Sequence, residues 1–230
     1  MFVSIDLTQI GLWIFYILLP IIALYLVYLV LTKAFKYMGF SSVEAIIIVF
    51  VSFLFGFEII LFGFNISNIY LFSYGTWRVG INMGGAVIPI LLSLYLIFKK
   101  KISLKKVFIG ILIVAIITYL ITKPVADKGI VATFPYWLLP AFSSSICSVI
   151  LSWKDFIKAA PLAYISGTIG VLIGADFLHL PELLSYSSDK TINAIIGGAV
   201  VFDMIFITGI IAVVLDGIIL FRQRKKQDIS

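Results

Sequence analysis

Charge is scarce in this sequence. Asp, Glu, Lys and Arg make up 12% of the 230 residues, against about a quarter in a soluble domain. Cysteine is nearly absent: Cys147 stands alone, which excludes an intramolecular disulfide and a cysteine metal cluster. Lying in an apolar stretch, it reads as a small buried hydrophobe. His179 is the only histidine, which excludes a His-rich metal site while leaving open carboxylate binding of a hard cation. No cofactor is expected. The net charge of +6 does not signal nucleic acid, because the basic residues sit in short loops without the interleaved aromatics of a binding face.

Apolar residues are what the chain has in excess, at 62% of its length and a mean hydropathy of +1.18. They fall into seven runs: Ile10–Leu31, Val43–Phe64, Val79–Phe98, Val107–Ile121, Tyr136–Trp153, Ala159–Phe177 and Asn193–Phe221. Most match the roughly 20 residues that span a hydrocarbon core. The fourth is short and relies on Lys105, Lys106 and Lys123 snorkelling at its ends; the seventh is long enough to tilt or bend. Backbone groups cannot go unpaired in lipid, so the runs are expected to be helices. The alternation of an outer-membrane barrel is missing. The N-terminus lacks the basic region and cleavage site of a signal peptide, so the first run reads as a retained span. The expected fold is all-α, an integral membrane bundle of about seven helices. A single domain would cover residues 1–221, with a short basic tail at 222–230.

Orientation follows from the basic residues. Lys33, Lys36, Lys99–Lys101, Lys105, Lys106, Lys154, Lys158, Arg222, Arg224, Lys225 and Lys226 fall on one side of the expected bundle. Arg78, Lys123, Lys128 and Lys190 fall on the other. The richer side is cytoplasmic by the positive-inside rule, which puts the N-terminus outside and the C-terminus in the cytoplasm of a cell membrane. On the outer side, Tyr70, Tyr74 and Trp77 resemble an interfacial aromatic belt, and Asn65-Ile66-Ser67 is a glycosylation sequon.

Ionisable residues inside a membrane are costly and point to function. Glu58, Asp176, Asp203 and Asp216 fall within the apolar runs. At a rise of about 1.5 Å per residue, Asp203 lies roughly 15 Å from the outer end of the last helix, near the midplane. Glu58 is roughly 9 Å below the outer end of the second helix. Asp176 is near the outer end of the sixth, with His179 a turn beyond. These residues and Asn82 suggest a polar chamber opening outward, capped by Arg78, Lys123 and Asp127. Asp216, closer to the cytoplasm, reads as structural and paired with Arg222 or a neighbouring lysine. Gly84-Gly85-Ala86-Val87 and Gly197-Gly198-Ala199-Val200 share four residues, either as a worn internal repeat or as packing glycines. Gly167, Gly170 and Gly174 suggest close helix contact.

Three segments, Asn82–Pro89, Pro161–Pro181 and Gly197–Ile210, resemble an uncharacterised prokaryotic membrane-protein family, the domain of unknown function 1614. The resemblance implies a shared fold and no particular activity. A partial likeness links Gly174-Ala175-Asp176, Phe202-Asp203 and Pro140-Ala141-Phe142 to the presenilin-type intramembrane aspartyl proteases, which implies Asp176 and Asp203 as a catalytic pair. The leading expectation is a small transporter or ion-coupled carrier, with Asp203, Glu58, Asp176, Asn82 and His179 binding a small solute, proton or cation. The alternatives are a hydrolase using Asp176 and Asp203 as acid and base, and a non-catalytic membrane scaffold. The lipid bilayer is the expected partner, without nucleic acid; the oligomeric state is not readable from the sequence.

Overall fold

In a computed structural model, the structure describes residues 7–126, 128–153, 155–187, 190–198 and 204–227. The chain is mostly helical, and three helices are long and apolar enough to cross a membrane: Leu12–Met38, Leu104–Ile121 and Phe156–Ser185. Ser42–Leu54, Met83–Lys99, Tyr136–Leu151 and Ile207–Ile219 are shorter apolar helices. A helix covered in apolar side chains on every face has no place in water, so these are the helices of a membrane protein.

The first helix, α1 (Leu7–Met38), contains Pro20. It turns at Gly39 into α2 (Ser42–Leu54), which begins with a capping box: Ser41 Oγ accepts the Glu44 N–H, and the Glu44 carboxylate accepts the Ser41 N–H at 2.7 Å. Only the C-terminal end of α1 packs into the core, through Leu31, Ala34, Phe35 and Met38; from Leu12 to Val30 its large apolar side chains are exposed.

After α2 the chain departs from the sequence expectation. The second apolar run does not continue as helix to Phe64. It breaks after Leu54 into β1 (Ile60–Leu61), β2 (Phe64–Asn65), β3 (Asn68–Tyr74) and β4 (Trp77–Asn82). β3 and β4 form an antiparallel hairpin with a bulge between Tyr70 and Phe72. A π-helical turn at Met83–Val87 then leads into α3 (Ile88–Lys99) and, beyond a short turn, α4 (Leu104–Ile121). β5 (Thr122–Val125) and β6 (Gly129–Ala132) make another small hairpin ahead of α5 (Leu139–Leu151).

The central rod is α6 (Ala159–Val171), a second π-helical turn at Leu172–Phe177, and α7 (Leu178–Ser185). Every residue of α6 except Ile169 is buried, and it touches α3, α4 and α5. Its small residues make this approach feasible. A Cβ on Gly170 would stand 2.6 Å from Val114 Cβ, and one on Gly174 would overlap the Ala115 carbonyl oxygen.

The last apolar run also begins as strand rather than helix. β7 (Ile192–Ile196) lies parallel to β4, from Trp77 opposite Ile192 to Ile81 opposite Ile196, and α8 (Met204–Gln227) follows and packs along α6. The all-α expectation is therefore corrected to a helical bundle with three small sheets. The sheets lie in the connections after α2, after α4 and after α7, which alternate along the chain. Lys100, Lys101 and Lys158 lie in the intervening ones, with Lys99, Lys105 and Lys106 at the helix ends beside them.

Candidate functional site

Asp176 sits on the π-helical turn that interrupts the central rod. A π turn widens the backbone by one residue and re-aims the side chain it carries, which is why such turns recur at functional sites. Here the half-buried carboxylate lines two adjoining cavities. One, of about 350 Å³, is bounded by Thr122, Ile130, Trp137, Val171, Met204 and Ile205. The other, of about 300 Å³, is bounded by Trp77, Lys128, Leu180, Asn193 and Gly198. The turn is flanked by β5 on one side and β7 on the other.

Asp176 is anchored by Gly197, whose N–H donates to its Oδ2 at 2.6 Å. Gly197 has φ +85°, a left-handed conformation that side chains disfavour. A Cβ there would stand 2.5 Å from Ala86 Cβ, and a Cβ on Gly85 would overlap the Gly197 carbonyl oxygen. The two Gly-Gly pairs thus touch each other, each at the end of one of two parallel strands. The contact requires glycine on both sides, a use more specific than general helix packing.

Asn82, 1% exposed, ends β4 and caps the first π turn: its Oδ1 accepts the Gly85 N–H at 2.7 Å. Its Nδ2 donates to Asn68 Oδ1 at 2.8 Å and to the Phe55 carbonyl at 3.4 Å. Asn82 therefore joins the Asp176 region through Gly85 and Gly197, as a cap and not as a cavity wall.

The other expected chamber residues are placed elsewhere. Glu58 is not on a helix; it is exposed in the loop after α2 and accepts from Asn65 Nδ2 at 2.8 Å. The sequon asparagine also accepts from the Ser67 and Asn68 amides, so its side chain is spent on the local turn. His179 is buried and faces α4, stacked on Tyr119 with ring centroids 4.4 Å apart. Its Nε2 lies 3.2 Å from the Tyr119 carbonyl oxygen, and its Nδ1 3.6 Å from the Glu182 carboxylate. It lines neither cavity. Asp203 and Asp127 lie outside the described residues. Asp216 is fully buried and accepts from Ser148 Oγ at 3.2 Å; the side chain of Arg222, its expected partner, is also outside the description.

Sequence reasoning missed Lys128, which brings a cation to the second cavity, and the convergence of the Gly-Gly pairs. The signal for the latter was present: two identical tetrapeptides, each preceded by a short apolar run.

The class defined by these features is a helical membrane protein with a carboxylate at a cavity-lined break in its central helix. Residues 57–215 match the family described as Protein of unknown function (DUF1614), and the chain belongs to that family. No curated protein and no solved structure matches the chain, so nothing supports the aspartyl-protease likeness.

Proposed function

We propose that the protein crosses the cell membrane seven times, with its sheet-bearing end outside, and works as a small ion-coupled carrier whose outward chamber centres on Asp176. The observation that carries this reading is the position of Asp176. A carboxylate placed at a break in a buried helix and lining two cavities has the form of a cation or solute site in a transporter. Lys128 at the second cavity adds a fixed positive charge, so an anionic group on a solute would be held between the lysine and the carboxylate-bound cation. Glu58 and His179 drop out of the reading because their side chains are engaged elsewhere. Asp203 adds no weight to it.

Reconstitution tests the proposal. Sodium and proton uptake into proteoliposomes would be measured under an imposed potassium diffusion potential, with Asp176→Asn in parallel. Uptake above that of protein-free liposomes, and lost in Asp176→Asn, supports the carrier. Uptake at the protein-free level, or unchanged by the substitution, overturns it.

A further inference from the structure

Beneath the Asp176 cavity runs a seam of hydroxyl groups between α5, α6 and α8. Ser144 Oγ donates to the Ala163 carbonyl at 2.6 Å and Ser166 Oγ to the Leu162 carbonyl at 2.6 Å, so these two are satisfied by backbone. The hydroxyls of Ser145, Tyr164, Thr168 and Thr208 are buried, in residues 0–1% exposed, and find no protein partner at good geometry beyond the contact between Tyr164 and Thr168 themselves.

Their adjacency is documented by the glycines between them. A Cβ on Gly209 would overlap Thr168 Oγ1 and stand 3.1 Å from the Tyr164 ring. One on Gly167 would meet Ser144 Oγ at 3.3 Å and Thr208 Cγ2 at 3.4 Å. Buried polar groups are almost always paired, and where protein supplies no partner ordered water does. Water beside these hydroxyls would complete their bonding.

Both ends of the seam are polar. Thr168 and Thr208 lie one helical turn from Val171 and Ile205, which line the larger Asp176 cavity. At the other end Ser148 meets Asp216, and one turn further along α5 Ser152 lines a cavity of about 100 Å³ with Lys101, Lys106, Asp155 and Lys158. Ser148 Oγ also donates to the Ser145 carbonyl at 2.7 Å. With one proton for two acceptors, its contact with Asp216 works in either direction, from serine to carboxylate or from protonated carboxyl to serine.

We infer that the seam conducts protons from the Asp176 cavity to Asp216, which binds and releases them on the way to the lysine-lined end. The inference rests on the carrier reading and deepens it by naming the coupling ion and its inner site. A proton enters from cavity water, passes along the Thr208, Thr168, Tyr164 and Ser145 hydroxyls and their waters, and protonates the Asp216 carboxylate. It leaves past Ser152. The titratable groups of the described residues on elements packed against this part of α8 are few. Tyr37 of α1 covers Gly217 with its ring. Tyr164 belongs to the seam itself, and Asp155 and Lys158 bond each other at 2.8 Å. Lys33 and Lys36 of α1 are exposed.

The test is infrared difference spectroscopy of the full chain in liposomes after a jump in outside pH. A protonated-carboxyl band absent in Asp216→Asn is expected. Its rise should slow by about tenfold in Thr168→Val or Thr208→Val, the size of one lost hydrogen bond on the path. If Asp216→Asn does not fold, Asp216→Glu shifts the band and assigns it. No Asp216 band at any pH where the protein stays folded, or an unchanged rate in both valine variants, overturns the inference. The carrier reading fails separately, when Asp216 takes up protons but no net proton or sodium crosses the liposome.

Discussion

The Asp176 carboxylate and the Gly197 amide, 21 positions apart in sequence, meet at 2.6 Å. The bond fastens the break in the central helix to the end of the parallel strand β7. It also turns one carboxylate oxygen toward backbone, and a charged acceptor makes such a bond worth more than a neutral one.

Replacing Asp176 by alanine is expected to destabilise the protein by about 1–3 kcal/mol, since the Gly197 amide loses a charged acceptor in a partly buried site. Asp176→Asn keeps an oxygen at the same place and should lose less. Thermal unfolding in detergent ranks the two; equal losses would mean that the hydrogen bond contributes nothing.

Gly197→Ala should be among the most damaging small substitutions. It combines a left-handed backbone, φ +85°, with a contact of 2.8 Å to the Ala86 nitrogen, and the two together are expected to cost about 2–4 kcal/mol. Gly63 has a similar φ of +82° but open space around it, so Gly63→Ala should cost only about 1 kcal/mol from backbone strain. Comparing both melts isolates the contact between the two Gly-Gly pairs.

Asn82→Ala removes the cap of the first π turn together with the bonds to Asn68 and Phe55. Loss of a cap costs about 1 kcal/mol, and the buried amides left behind raise that to about 2–3 kcal/mol. Amide hydrogen exchange should quicken at Gly85 first, ahead of any change in α3.

Gly174→Val would drive a branched side chain into the Ala115 carbonyl and Thr118. Separation of α4 from the central rod is expected, with a loss of about 3 kcal/mol or more. The measurement is unfolding in denaturant, with Leu120→Val, on the exposed face of α4, as the comparison.

Orientation has its own check. In a Cys147→Ser background, Ser73→Cys on β3 should react with an impermeant maleimide added to intact cells. Lys100→Cys, after α3, should react only once the membrane is opened. The reverse pattern would invert the proposed topology and place the Asp176 cavities on the inner side.

Hydropathy made the helices legible, because apolar length is what crossing lipid requires. It could not show that Asn193–Ile196 and Val79–Ile81 are strands. A short apolar strand run cannot be told from a stretch of buried helix by periodicity alone. The β3–β4 hairpin left a better trace: Tyr74-Gly75-Thr76-Trp77 joins two aromatic-rich stretches through a two-residue loop that begins with glycine at φ +56°. Of the expected site, Asp176 is in a cavity and Asn82 beside it. Glu58 moved because its helix ended early, and His179 because its ring found Tyr119. The hydroxyl seam was invisible in sequence, since no single Ser or Thr in an apolar helix differs from ordinary packing.

The parallel course of β4 and β7 has a consequence for movement. Both strands run in the same direction into a Gly-Gly pair, so the two copies of the motif enter the bundle from one side with one polarity. Carriers built from mirrored halves can exchange the shapes of those halves and so open alternately to either face. Two copies with the same polarity have no mirror-image shape to trade. Same-polarity copies leave two routes instead, a rocking of one against the other or a change in winding at one of the two π turns, and either would be felt at the contact between Gly85 and Gly197.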